Sequence, residues 1–197
     1  MVSTNALAEE LETKAPSVTD MVRKLKDKKL ITYKKYKGVQ LTNEGALVAI
    51  KVIRKHRLWE VFLVDKLQFA WDEVHEVAEQ LEHIVSPKLV DRLESFLEFP
   101  KFDPHGDPIP SKDGVFPSKN THKLSHCKKG NSGFVRGVEN DETSFLQYLT
   151  HIGLRLNDHI KLEKVFDFDG SMEISINKGK PVHISQEVAE NILIESL

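Results

Sequence analysis

The stretch from Asp72 to Ser86, Asp-Glu-Val-His-Glu-Val-Ala-Glu-Gln-Leu-Glu-His-Ile-Val-Ser, most constrains what this chain can fold into. Wound at the ~100° per residue of an α-helix, it places Val74, Val77, Ala78, Leu81, Ile84 and Val85 within an arc of about 120°. His75, Glu79, Glu82 and His83 fall within about 100° on the opposite side. The spacing predicts a helix over 72–86. Two imidazoles and two carboxylates on one helical stripe are either a solvated salt-bridge face or half of a metal site. His56 and Glu60 stand at i, i+4 on the preceding predicted helix, and six nitrogen and oxygen ligands on two neighbouring helices favour metal.

Upstream, Ser3 can cap a helix from about Asn5 to Thr13, and Pro16-Ser17 opens a second, from about Ser17 to Lys28. Val18, Met21, Val22 and Leu25 form the apolar stripe of the second helix. Two short strands, Leu30–Tyr33 and Val39–Thr42, flank a Lys34-Lys35-Tyr36-Lys37-Gly38 tip. This pattern reads as a winged helix-turn-helix over residues 1–50. Residues 1–57 carry 13 Lys/Arg against 6 Asp/Glu, whereas the remainder carries 15 against 24. A basic quarter on an otherwise acidic chain implies a polyanion partner for that quarter alone. Pro16, Ser17, Thr19 and Asp20 would present the start of the second helix to a DNA major groove. Lys14, Lys34, Lys35 and Lys37 would hold phosphates. The alternative is an ordinary helix pair with a solvated lysine tip.

Asn43 is expected to cap a long helix running to about Val64, and Ser86-Pro87 to start another after the striped helix. Residues 51–98 then form an all-helical segment whose apolar width suits a homodimer interface. Residues 99–129 read as a linker: Pro100, Pro104, Pro108, Pro110 and Pro117 interrupt any period. Its histidines, His105, His122 and His126, lack a paired carboxylate stripe and are expected to be solvated. From residue 130 to 197 the period changes to two. Strands are expected at Gly133–Val138, Ile160–Phe166, Met172–Ile176 and Pro181–Ile184, with a helix at Ser144–Gly153 and a closing helix or strand at Glu187–Ile194. The fold class is therefore α+β and multidomain, ending in a small β-barrel. Cys127 is the only cysteine, which excludes a disulfide framework and a thiolate zinc site. No apolar run reaches membrane-spanning length and no signal-peptide pattern is present, so no membrane partner and a cytoplasmic location are expected.

Taken together, Pro16-Ser-Val-Thr19, Arg54-Lys-His-Arg-Leu58, His75…Glu79-x-x-Glu82-His83, Pro104-His-Gly-Asp-Pro-Ile-Pro110 and the C-terminal β segment resemble the DtxR/MntR family of metal-dependent transcriptional repressors. The resemblance covers nearly the whole chain. It implies a winged-helix DNA reader, a helical domain for metal binding and dimerisation, and a FeoA-type barrel. It also implies Mn(II) or Fe(II) as corepressor, palindromic operator DNA as partner of a homodimer, and control of metal-uptake genes. Glu79, Glu82 and His83 match the family's primary metal site. His56, Glu60 and His75 match its ancillary site, to which the barrel adds a ligand at about Glu142. A set without sulfur favours a hard divalent ion, Mn(II) before Fe(II). Family members begin with one more helix, which supplies a primary-site ligand. This chain opens at Met1-Val-Ser-Thr, so an N-terminally incomplete winged helix and a weakened primary site are expected.

An enzyme of the carboxylate-bridged dimetal type would need Glu-x-x-His on two helices. Here Glu79 and His83 are four apart, Gln80 stands three before His83, and no second copy exists. No nucleophile elbow, phosphate loop or reactive-cysteine setting appears either. The other alternative is a metal-independent winged-helix regulator whose polar stripe only forms salt bridges.

Overall fold

The computed structural model describes residues 1–34 and 37–196. In chain order the elements are α1 (Thr4–Glu10), α2 (Ala15–Asp27), β1 (Ile31–Lys34), β2 (Gly38–Leu41), α3 (Asn43–Leu67), α4 (Val74–Glu82) and α5 (Pro87–Phe96). They are followed by β3 (His122–Lys123), β4 (Ser132–Val138), α6 (Thr143–His151), β5 (His159–Val165), β6 (Met172–Ile176), β7 (Pro181–Ile184), α7 (Gln186–Glu190) and β8 (Ile192–Ser196). They form two compact units: Met1–Ile53 with Lys112–Gly114, and Arg54–Ser111 with Val115–Leu197.

In the first unit Ser3 caps α1 by accepting from the Ala6 amide at 3.1 Å. Val18 and Val22 of α2 bury against Ile31, with Leu7, Ala8 and Val39 closing the core. β1 and β2 pair antiparallel from Ile31↔Leu41 to Lys34↔Gly38, the expected hairpin. Its tip residues Lys35 and Tyr36 lie outside the described residues, so the phosphate role read for Lys35 has no structural counterpart here. Asn43 is the first helical residue of α3, and Thr42 is the cap. Thr42 Oγ1 accepts from the Gly45 amide at 3.0 Å, satisfying a donor that the helix leaves unpaired.

In the second unit Leu58 and Leu63 of α3 pack with Val74 and Ala78 of α4 and Leu93 of α5. α4 is shorter than its periodicity predicts. Ser86 precedes Pro87, whose ring disfavours helical backbone at the residue before it. Ser86 accordingly sits extended at φ −147°, ψ 95°, and caps α5 through the Leu89 amide. The helix has ended by then, which leaves Ile84 41% and Val85 92% exposed.

The proline-rich stretch is not a free spacer. Asp103, His105 and Ile109 are buried. Arg54 donates to the Pro110 carbonyl at 3.1 Å, and Arg57 to Asp107 at 2.7 Å. The following six-stranded antiparallel sheet runs β3-β8-β4-β5-β6-β7. Its core is Leu146, Leu149, Leu154, Ile160, Leu162, Ile174 and Ile192, with neighbours. The closing segment expected as helix or strand is both, α7 and then β8, while β3 has too few residues for its alternation to be read. The loop docks on β4: the Val138 amide donates to the His105 carbonyl at 3.0 Å. Gly106 makes this approach possible, since at φ +85° an added Cβ would stand 2.0 Å from the Arg136 carbonyl oxygen. Gly106→Ala is therefore expected to destabilise the chain by about 1–3 kcal/mol or more, read as a lower urea midpoint.

Candidate metal centre

Glu60, on α3, is 3% exposed. Being i+4 from His56 on one helix, it meets that ring directly: His56 Nε2 lies 3.0 Å from Glu60 Oε1. The other ring nitrogen, Nδ1, lies 2.9 Å from Glu82 Oε2 on α4. With a carboxylate against each nitrogen, the ring is best satisfied as a doubly protonated imidazolium. His75 Nδ1 and His105 Nδ1 approach the same Glu60 oxygen at 3.6 and 3.8 Å. His56 and His75 meet edge to face, with centroids 4.9 Å apart.

The electrostatics follow from this crowding. Burial opposes ionisation of Glu60, but the His56 hydrogen bond and the surrounding imidazoles hold its carboxyl below the ordinary range. Burial likewise opposes protonation of His56, yet Glu60 and Glu82 raise it above its ordinary value. Asp103, buried beside Glu60, is pushed up to about 6 by desolvation and then by the Glu60 charge. Its Oδ1 accepts from the His105 and Asp107 amides at 2.8 and 2.9 Å. Among the described residues, two sets bring ligand atoms within 4.8 Å of one another: His56, Glu60 and His75, and Glu60, Asp103 and His105. Both contain Glu60. Nitrogen and carboxylate oxygen without sulfur fit a hard divalent ion. Cys127 is elsewhere, with its Sγ 3.4 Å from His122 Nε2.

The residues expected from the stripe separate. His75 and Glu82 turn towards α3, while the side chains of Glu79 and His83 are exposed and make no hydrogen bond or ion pair among the described residues. Glu142 is the exposed N-cap of α6. It shares a cleft of about 550 Å³ with Asp72, Glu73, His75, Glu76 and Asp141. The expectation that His105 is a solvated loop histidine is overturned: it is 5% exposed. Asp103 and His105 went unread because their proline-rich surroundings carry no helical or strand period. The available signal was Asp103 and Asp107 flanking His105 at two residues on either side, about the glycine turn.

On the candidate DNA face, Lys14, Pro16, Ser17, Thr19, Asp20, Lys34 and Lys37 are all exposed. Two of the proposed base readers are engaged locally. Thr19 Oγ1 donates to the Ala15 carbonyl at 2.9 Å, and Asp20 pairs with Arg23 at 2.8 Å.

Comparison with known proteins agrees with this layout. Residues 1–39 match the iron dependent repressor N-terminal DNA binding domain, 42–111 the iron dependent repressor metal binding and dimerisation domain, and 122–196 the FeoA domain. A manganese-dependent transcriptional repressor solved in complex with manganese is 36% identical, with a TM-score of 0.85, over 100% of this chain and 91% of that one. The iron-dependent repressor IdeR of Mycobacterium leprae is 38% identical over 104 residues, which is 53% of this chain and just 45% of that protein's length. The diphtheria toxin repressor of Corynebacterium diphtheriae is 28% identical over 97% of this chain and 87% of its own. No helix among the described residues is long and apolar enough to cross a membrane. The chain belongs to the iron-dependent repressor (DtxR/MntR) family, a family of transcriptional repressors and not of enzymes.

Proposed function

We propose that this chain is a cytoplasmic, Mn(II)- or Fe(II)-dependent repressor that binds palindromic operator DNA as a homodimer and controls metal-uptake genes. The observation that carries the reading is Glu60, a buried carboxylate faced by His56, His75 and His105 with Asp103 beside it. Such a set is costly to assemble without a cation. His56, Glu60 and His75 form the ancillary set, with Glu142 across the acidic cleft. Asp103 and His105 extend it on the other side of Glu60. Glu79, Glu82 and His83 make up the primary set, of which Glu82 lies 2.9 Å from His56 Nδ1.

A divalent ion would supply the positive charge that protons provide in this arrangement. Releasing the His56 proton frees Glu82 from its hydrogen bond and makes the carboxylate available to the primary set. Site occupancy and the orientation of α4 are thereby linked. Dimerisation is supported by apolar surface at and beside α5: Val85, Leu89, Phe96 and Phe99 are 92, 38, 60 and 64% exposed. Lys14, Pro16, Ser17, Thr19, Asp20, Lys34 and Lys37 would face the operator. The reading of sequence falls mainly to Ser17, whose hydroxyl is free of the bonds that engage Thr19 and Asp20.

Fluorescence anisotropy on a labelled palindromic operator tests the function. Affinity should rise at least about 10-fold on adding Mn(II), within the range of coupled sites, and equal affinity with and without metal would refute it. Glu60→Gln should weaken Mn(II) binding more than about 100-fold, beyond the usual loss of an outer-shell partner, as measured by calorimetry. A loss confined to Glu79→Gln would relocate the ion.

Acidity should act with a definite sign. Because His56 is held above its ordinary pKa, its clasp stabilises the fold fully below the unfolded-state value. That contribution disappears as pH rises through the folded one. Mn(II) must displace this proton, so its affinity should rise with pH from about 6 to about 8, followed by calorimetry in two buffers. Phe96→Glu should shift the chain to monomer in sedimentation velocity.

A further inference from the structure

His105 is tied to the β domain at two points. Its carbonyl accepts from the Val138 amide on β4 at 3.0 Å. Its Nε2 lies 2.7 Å from the carbonyl oxygen of Trp71, in the α3–α4 connection. A carbonyl can only accept, so Nε2 carries the proton. In the neutral ring Nδ1 then keeps its lone pair, and Nδ1 is the atom facing Glu60. The Trp71 ring lies nearly parallel to His105, at 19° and 6.4 Å between centroids. At its far edge Trp71 Nε1 donates to Thr150 Oγ1 at 2.9 Å, and that hydroxyl donates on to the Leu146 carbonyl at 3.0 Å. Thr150 is in the last turn of α6, whose N-cap is Glu142 in the acidic cleft beside His75.

We propose that Trp71 is a positioning residue: through its carbonyl, its ring and its bond to Thr150, it makes cation binding at the Glu60–Asp103–His105 pocket and the docking of α6 mutually dependent. The Trp71 carbonyl selects the tautomer and aims the bare nitrogen, while the indole wedges against the imidazole face. Release of the indole from Thr150 leaves the connection, and with it the carbonyl, free to rotate. An ion drawing His105 towards Glu60 tightens the same contacts and holds α6 in place. Since the two equilibria share these groups, each must alter the other by the same factor.

The proposal rests on a cation occupying that pocket, and the test separates the two. The part of Mn(II) binding that disappears in His105→Gln defines the pocket in calorimetry. Hydrogen exchange of α6 with and without Mn(II) reports its docking. The full-length chain is compared with Thr150→Val, which keeps the side-chain size at an exposed position but removes the acceptor, and with Thr150→Ser, which retains it.

We expect Mn(II) to slow exchange across α6 in the parent chain. In Thr150→Val that protection should vanish and Mn(II) affinity at the pocket fall about 5- to 10-fold, the lower end for coupled sites. Thr150→Ser should restore both, with thermal midpoints unchanged. Parent-like affinity and protection in Thr150→Val would overturn the proposal, as would a loss that Thr150→Ser fails to restore, since the effect would then be packing alone. If His105→Gln leaves Mn(II) binding intact, the occupancy reading itself fails and the coupling with it.

Discussion

The second unit depends on how Glu60 is neutralised. A carboxylate removed from water must find positive charge or donors within its own fold, and an unpaired one costs several kcal/mol. α3 supplies His56 one turn before Glu60. α4 supplies His75, and the loop after α5 brings the His105 ring to within 3.8 Å of the same oxygen. Three segments distant in sequence are thereby drawn to one oxygen. The apolar contacts of Leu58, Leu63, Val74 and Ala78 would hold α3 and α4 together with any polar stripe. The carboxylate decides which residues of the stripe face inward, and so why His75 and Glu82 are gathered while Glu79 and His83 are not.

That arrangement would also make protons and a bound cation compete at one place. Asp103 sits next to Glu60 with its carboxyl pushed up to about 6 by burial and the neighbouring charge. His56 is raised by carboxylates on both of its ring nitrogens. One group is an acid slow to lose its proton, and the other a base slow to give one up. On the proposed reading, a divalent ion would compete with the proton that each of them can hold. Arg57 completes the balance by pairing with Asp107 and approaching Asp103 at 3.4 Å. The loop's acidity is therefore not compensated by His105 alone.

Much of this was legible because helical periodicity is a local code. Spacing places His56 with Glu60 on one helix and His75 with Glu82 on the next, and alternation marks β4 to β7, but the meeting of Glu82 with His56 is a product of the fold. The end of α4 was misread, because two signals conflicted. The apolar period runs through Ile84 and Val85, whereas Pro87 forces Ser86 out of the helix, and the steric rule prevails. Asp103 and His105 were illegible for a different reason. Their burial is made by Arg57 reaching across from α3 and by β4 closing over Gly106. Those contacts are long-range, and a proline-rich composition conceals them. Composition predicts solvent for such a loop because it counts residues that cannot build a core of their own. It is silent about a loop that borrows the core of its neighbours.

The uneven charge of the chain follows the same logic. Lysine and arginine outnumber acids 13 to 6 before residue 58, and acids outnumber them 24 to 15 after it. A polyanion is favoured by the first segment and disfavoured by the second, which would confine the proposed DNA contact to the α2 and hairpin surface. The acidic part is not uniform either. Asp72, Glu73, Glu76, Asp141 and Glu142 line the cleft on which His75 opens. A cation approaching His75 would pass carboxylates from the start of α4 and from the N-cap of α6, so the negative field that disfavours a polyanion would concentrate divalent ions at that entrance. Such a field is screened within about 10 Å at moderate salt, and it can act only because these carboxylates lie around a single opening. Segregating the charges would thus let one short chain attract two partners of opposite sign, where an even mixture would attract neither.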